Sequence, residues 1–202
     1  DLNLKGDLEN LESFYKNRGF LKFNVDSSSV SLSEDKKNIF ITVNISENDL
    51  FFNNEVSYAG DLPDAIDPLS IIQITQFIVP NNVFSQETLT YAEDQITSLM
   101  SNQGFSSAEV IASTEEAEKE NFVDITIFID PGQRTYVRKI NFSGNKRTHD
   151  VVLRREMRQM EGSWASDILI ENSKRRLDRL GYFKEVEYET SPVPGESDKI
   201  DI

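Results

Sequence analysis

The 202-residue chain carries 21 Lys and Arg against 35 Asp and Glu, a formal net charge of −14 that speaks against nucleic acid as a partner. It has no cysteine, which excludes disulfides and thiolate chemistry while leaving the redox compartment open. Its 38% apolar content suits several small cores better than one large one, and no apolar run approaches the roughly 20 residues that span a bilayer. The opening residues show no signal peptide, and the abrupt ends DLNLKG and DKIDI read as those of a piece cut from a longer protein.

Taken in order, a helical pattern with Leu8, Leu11, Phe14 and Tyr15 on one side runs up to Gly19. A short strand, Leu21–Val25, and a stronger alternating one, Asn38–Glu47, follow it. A new strand, Glu55–Asp61, ends in Gly60 and leads to a helical segment near Ile66–Phe77, made irregular by Pro63, Pro68 and Pro80 of the surrounding stretch Leu62–Val83. Leu89, Ala92, Ile96 and Leu99 then stripe a second helix, with Ser85 and Thr88 as N-cap candidates and Gly104 at its end. Strands Ala108–Ser113 and Asn121–Gly132 close that stretch. Lys139–Asn145, KINFSGN, opens another with a strand ending in Gly144. Val151–Gly162 reads as a helix, and a second one opens at Ser166 and Asp167 and carries Ile168, Leu169, Leu177 and Leu180 to Gly181. Glu185–Thr190 reads as a strand, and DKIDI begins one more.

This order contains a repeat. Gly19–Phe20, Gly104–Phe105 and Gly181–Tyr182 each follow a helix and precede a strand, at spacings of 85 and 77 residues. Gly60 and Gly144, each closing an opening strand, lie 84 residues apart. The unit is strand, helix, helix, strand, strand, an α+β design. Residues 1–50 are the tail of one unit, 51–132 a complete one, and 133–202 one that stops inside its last strand. Val56, Tyr58, Leu99, Phe105, Ile125 and Ile127 are expected in the middle core, with Phe20, Phe105 and Tyr182 plugging the space behind their glycines. Trp164 is expected between the two helices of the last unit.

Charge is uneven. Between Gln133 and Phe183 twelve Lys or Arg face six Asp or Glu, so this stretch carries +6 and the remainder −20. On the Val151–Gly162 helix, Leu153, Met157 and Met160 form an apolar stripe. Arg154, Arg158 and Glu161 form another, with Arg155 and Gln159 alongside, and this is either an ordinary solvated face or a surface for an acidic partner. If the stripe points outward, Glu161→Lys and Arg158→Glu should leave the fold intact and weaken binding of that partner.

Catalysis finds little support. His149 is the only histidine and lies at a helix start, where no cysteine or second histidine can join it. The acidic pairs, such as Glu115–Glu116, have no evident cleft to converge on, so a carboxylate-based hydrolase is the remote alternative. Gly60 and Gly144 lack the lysine and further glycines of a phosphate loop, and no calcium-loop spacing is present. The chain reads as non-enzymatic, without metal or cofactor.

The repeated β-α-α-β-β unit, and above all the run YVRKINFSGN…VLRREMRQMEGSW…LGYF, resembles the polypeptide-transport-associated (POTRA) domains of the BamA outer-membrane assembly factor family. The resemblance covers essentially the whole chain, as part of a third, a complete fourth and most of a fifth domain. It implies a three-stranded mixed sheet with two helices on one face in each unit, and a periplasmic location as the soluble part of an outer-membrane protein. It further implies a scaffold that docks accessory lipoproteins, receives unfolded outer-membrane protein precursors by β-strand addition, and is continued by its own C-terminal membrane β-barrel. The lipoprotein contact would fall on Arg154, Arg155, Arg158 and Glu161. The strand after each Gly–aromatic pair would be the open edge, which places peptide binding at Leu21, Phe23, Val25, Glu109, Val110 and Ile111. A POTRA region of a two-partner secretion transporter is the alternative within the same fold.

Overall fold

The computed structural model describes residues 2–33 and 35–202. The elements are α1 (Leu2–Lys16), β1 (Asn24–Leu32), β2 (Ile39–Ser46), β3 (Phe52–Gly60), α2 (Pro68–Thr75), α3 (Gln86–Asn102), β4 (Glu109–Glu116), β5 (Phe122–Asp130), β6 (Tyr136–Lys139), α4 (Asp150–Glu156), α5 (Asp167–Arg179), β7 (Ser191–Val193) and β8 (Glu196–Asp201). The first repeat is thus helix, strand, strand, and the other two each run strand, helix, helix, strand, strand. No helix among the described residues is long and apolar enough to cross a membrane.

β1 and β2 form an antiparallel hairpin, with Val30 opposite Ile41 and Leu32 opposite Ile39. The middle sheet has the order β3-β5-β4. Phe52 N–H donates to Asn121 O at one end and Asp61 N–H to Ile129 O at the other, so β3 runs parallel to β5. Ala117 N–H donates to Phe122 O and Ser113 Oγ to Thr126 O, so β4 runs antiparallel to it. The last sheet repeats this mixed pattern as β6-β8-β7, with β6 parallel and β7 antiparallel to β8.

Chain contacts divide the molecule into two compact units, and neither is a repeat. One unit comprises the chain up to Ala59 with Ile74–Glu93 and Ala112–Phe128. It buries Phe23, Phe51, Ile78, Phe84, Leu89, Ala92, Val123, Ile125 and Ile127. The other comprises Gly60–Gln73, Asp94–Ile111 and Ile129–Ile202. It buries Ile66, Ile71, Ile96, Met100, Phe105 and Ile129, and in the last module Val137, Ile140, Leu153, Met157, Ala165, Ile170 and Leu177. Each of these side chains other than the two alanines contributes about 1.5–3 kcal/mol through burial.

Inside each unit lies a joint between successive modules, and the two joints are built alike. Gly19 O accepts from Phe51 N–H at 2.8 Å, and Gly104 O from Thr135 N–H at 2.7 Å. Phe84 N–H returns to Phe51 O, and Ala165 N–H to Thr135 O. Two residues before each glycine an asparagine reaches into the next module. Asn17 Oδ1 accepts from Glu87 N–H, and Asn102 Oδ1 from Ile168 N–H, both at 2.9 Å. Each thus caps the first turn of a helix that belongs to the following repeat. Gly19 (φ +93°) and Gly104 (φ +96°) have no room for a side chain: a Cβ would lie 2.6 Å from Val83 Cγ1 or 2.8 Å from Trp164 Cβ. The second joint adds Arg134, whose Nε donates to Gln103 O at 2.7 Å while its guanidinium lies 4.5 Å over the Trp164 ring.

Several expectations need correction. Trp164 is 41% exposed and serves the joint instead of filling the gap between α4 and α5. Tyr182 is 64% exposed and plugs nothing, and Phe20 is only half-buried. Ile125, Ile127 and Phe105 are core residues, whereas Val56 and Leu99 are half-buried, and Tyr58 turns its hydroxyl to Thr75 Oγ1 at the surface. The opening strand of the last module is Tyr136–Lys139, upstream of the stretch read from the sequence. Residues 185–190 form no strand; β8 pairs on that side with Ser191–Val193.

Candidate partner-binding site

The Val151–Gly162 stretch is not one helix. α4 stops at Glu156, and Met157 takes an extended backbone (φ −63°, ψ 140°). The backbone N–H groups of Arg158 and Gln159 donate to Ser173 Oγ of α5, at 2.8 and 3.1 Å, in place of continuing the helical ladder. Leu153 and Met157 are buried as expected, but Met160 is 58% exposed.

The buried polar residue of the motif is Gln159, fully enclosed. Its Nε2 donates to Ser163 Oγ and Trp164 O, both at 2.9 Å, and its Oε1 accepts from Ser166 N–H at 3.0 Å. One carboxamide therefore shapes the loop that delivers Trp164, Ala165 and Ser166 to the second joint. Sequence reading placed Gln159 beside the charged stripe and missed this role. A polar residue between Met157 and Met160, three residues before a Gly, was the available signal.

Arg154 and Glu161, expected to face a partner, hold each other. Arg154 Nη1 lies 3.0 Å from Glu161 Oε1, and Nη2 donates to Ile140 O at 2.8 Å. Ile140 N–H donates to the same Glu161 oxygen at 2.8 Å. Both polar groups of Ile140 are thus gripped from the side, just past the end of β6. The Ile140 N–H, then Arg154, hold the Glu161 carboxyl below its ordinary value of 4.5. Asp201 is held low in the same way by Arg138, and Asp35 by Ser33. Carboxyls so lowered stay ionised near neutrality and act as acceptors.

Arg155 and Arg158 are presented differently. The Arg155 side chain is 75% exposed and comes only within 3.8 Å of Glu156. The Arg158 guanidinium is exposed and has no partner among the described residues. Val151, 72% exposed, lies one turn from Arg155 on α4. The structure therefore brings Arg154 and Glu161 together and leaves Arg155 and Arg158 to solvent.

The strand edges also fall partly where expected. Glu109, Val110 and Ile111 open β4, an edge strand of its sheet, with Glu109 and Ile111 exposed. In the first repeat the strand begins three residues late. Leu21 lies in a turn and Phe23 is buried, its ring stacked 4.2 Å from Tyr15, so of the three residues named there only Val25 is on β1. In the last module a cavity of about 540 Å³ opens into the core between Phe142, Leu177, Val186 and Ile202.

Small mixed sheets and serial joints define an array of repeated α+β modules. Residues 2–48, 54–132 and 135–202 each match the model for POTRA, the surface antigen variable number repeat, and the chain belongs to that family. The outer membrane protein assembly factor BamA of Buchnera aphidicola is 31% identical over 200 residues, which are 98% of this chain and 32% of that protein. BamA of Neisseria meningitidis serogroup B is 29% identical over 196 residues, 97% of this chain and 24% of that protein. The chain thus spans about a quarter to a third of the length of the curated relatives it matches. Among solved structures, Haemophilus influenzae BamA POTRA3-5 superposes with a TM-score of 0.79 at 28% identity, covering 98% of this chain and 77% of that one. Haemophilus ducreyi BamA lacking POTRA domains 1-3 gives 0.65 at 33% identity over 75% of this chain and 28% of that one.

Proposed function

We propose that this array is a periplasmic scaffold of the machinery that assembles outer-membrane β-barrels. Its similarity to BamA over nearly the whole chain supports that setting. In this reading the array receives unfolded barrel precursors by strand addition, docks accessory lipoproteins on the last module, and is continued by a membrane β-barrel. The observation that carries strand addition is β4, an outer strand of its sheet beside β5. An edge offers backbone donors and acceptors that pair with an extended peptide largely regardless of its sequence, which suits a receiver of many clients. For the lipoprotein, Arg155 and Arg158 present charge, while Arg154 and Glu161 shape the loop that carries it.

The test is a backbone-amide NMR titration of the chain with an extended peptide of alternating aromatic and polar residues. Shifts concentrated on β4 support the reading, and shifts confined to α2 and α3 overturn it. For the lipoprotein, capture from native envelope by the full-length parent should weaken with Arg158→Glu and recover when a partner charge is reversed.

A further inference from the structure

The middle module carries a glutamate where its sister repeats carry aliphatic residues. Counting from the glycines Gly19, Gly104 and Gly181, Glu93 of α3 corresponds to Leu8 of α1 and Ile170 of α5. Ile170 is a buried core residue of the last module, and the half-buried Leu8 belongs to the apolar side of α1. Glu93 is half-buried and flanked on its own helix by Leu89, Ala92 and Ile96, each almost fully enclosed. A carboxylate at a core-facing helix position breaks the apolar pattern of its element, and such violations concentrate where function requires them.

The structure shows what this carboxylate does. Ala112 N–H of β4 donates to Glu93 Oε1 at 2.6 Å. In an antiparallel pair, N–H groups alternate toward and away from the partner strand. Ala117 N–H points to β5, where it meets Phe122 O, so the N–H groups of Val110, Ala112 and Thr114 point the other way, along the open edge. Glu93 thus reaches past β4 and occupies, at Ala112, one of the donors that an incoming strand would use.

We propose that Glu93 is a gate on the β4 edge, holding the place of a strand carbonyl until a client displaces it. This rests on the strand-addition reading. An added strand must exchange its own carbonyl for the Glu93 carboxylate at Ala112, and the released carboxylate favours a client carrying Lys or Arg at the facing position. The gate belongs to the middle module alone, since neither Leu8 nor Ile170 can accept a hydrogen bond. It disfavours casual pairing, including pairing between two copies of the chain, at an edge that is otherwise open.

The experiment compares the intact chain with Glu93→Ala and Glu93→Gln, titrating each with two extended alternating peptides that differ only in a central Lys or Ser. Glu93→Ala should bind both peptides roughly three- to tenfold more tightly, the span expected for removing one competing hydrogen bond. It should also lose the wild-type preference for the Lys peptide. Glu93→Gln keeps an acceptor on the same stem, so it should retain most of the competition while losing the Lys preference. If peptide adds to β4 with one affinity in all three proteins, Glu93 is no gate although strand addition stands. If peptide does not perturb β4 in any of them, strand addition itself fails, and the gate with it.

Discussion

At the residue scale, the charged motif divides into groups that hold the fold and groups that face outward. Glu161 belongs to the first kind, so Glu161→Lys, expected from the sequence to be silent for folding, should strip Ile140 N–H of its acceptor and set a second cation beside Arg154. Such a change costs about 1–3 kcal/mol, visible as a lower Tm of the last module. Arg158→Glu should instead leave melting within about 0.5 kcal/mol, which makes it the cleaner probe of lipoprotein capture. Because folding lowers the pKa of Glu161, its contribution is complete above the unfolded value near 4.5 and is lost as pH falls through the lower folded value. Acid titration of the Ile140 amide shift should therefore show its transition below pH 4.5, and Glu161→Gln should abolish that transition. Gln159→Leu leaves Trp164 O and Ser166 N–H without their partner and should cost about 2–4 kcal/mol by denaturant titration. The periodicity of the motif identified Leu153 and Met157 as core. It could not reveal that Ser173, fourteen residues on from Gln159, would end the helix by taking two of its N–H groups.

At the element scale, the two opening-strand glycines look equivalent in sequence and differ in the fold. Gly60 ends β3 at φ +94°, and an added Cβ would collide with Ile129 O of the neighbouring strand, a backbone atom that cannot step aside. Gly144, at φ +83°, has open space around it. Gly60→Ala should cost about 3 kcal/mol or more, and Gly144→Ala only the 1–2 kcal/mol of left-handed strain, a contrast that thermal melts of the two variants would show. The repeat and the helix–glycine–strand order were legible because they rest on local signals: apolar periodicity, helix stops and alternation. The mixed sheets were expected through the family resemblance, since parallel pairing joins distant strands. The strand at 185–190 was misread for a physical reason. Alternation marks residues able to sit on a pleated sheet, but a strand forms only where a neighbour supplies backbone partners, and β8 is paired on that side with Ser191–Val193. Glu93 was hidden by the same logic from the other side, since one acid in an acidic chain reads as surface until its acceptor role at Ala112 is seen.

At the scale of the whole molecule, the joints are where the repeats become one object. Asn17 and Asn102 do the same work 85 residues apart, and replacing either with Leu should cost about 0.5–2 kcal/mol. Hydrogen exchange should locate the loss, speeding at Glu87 for Asn17→Leu and at Ile168 for Asn102→Leu, each without effect on the other joint. The corresponding position before Gly181 is Arg179, which has no acceptor to offer. The chain passes from one compact unit to the other within the middle repeat, after residues 59, 73, 93, 111 and 128, and not near the repeat boundaries read from the sequence at 50 and 132. For recombination, this makes the repeat the wrong currency. A chimera spliced at a repeat boundary marries an Asn–Gly helix end to a foreign receiving loop, and must match Val83 or Trp164 to a glycine it has never met. One that exchanges the far end of the middle repeat together with the last repeat transfers its joint whole. Homologous shuffling libraries of this array should accordingly keep more folded members when crossovers fall inside the middle repeat than when they fall between repeats.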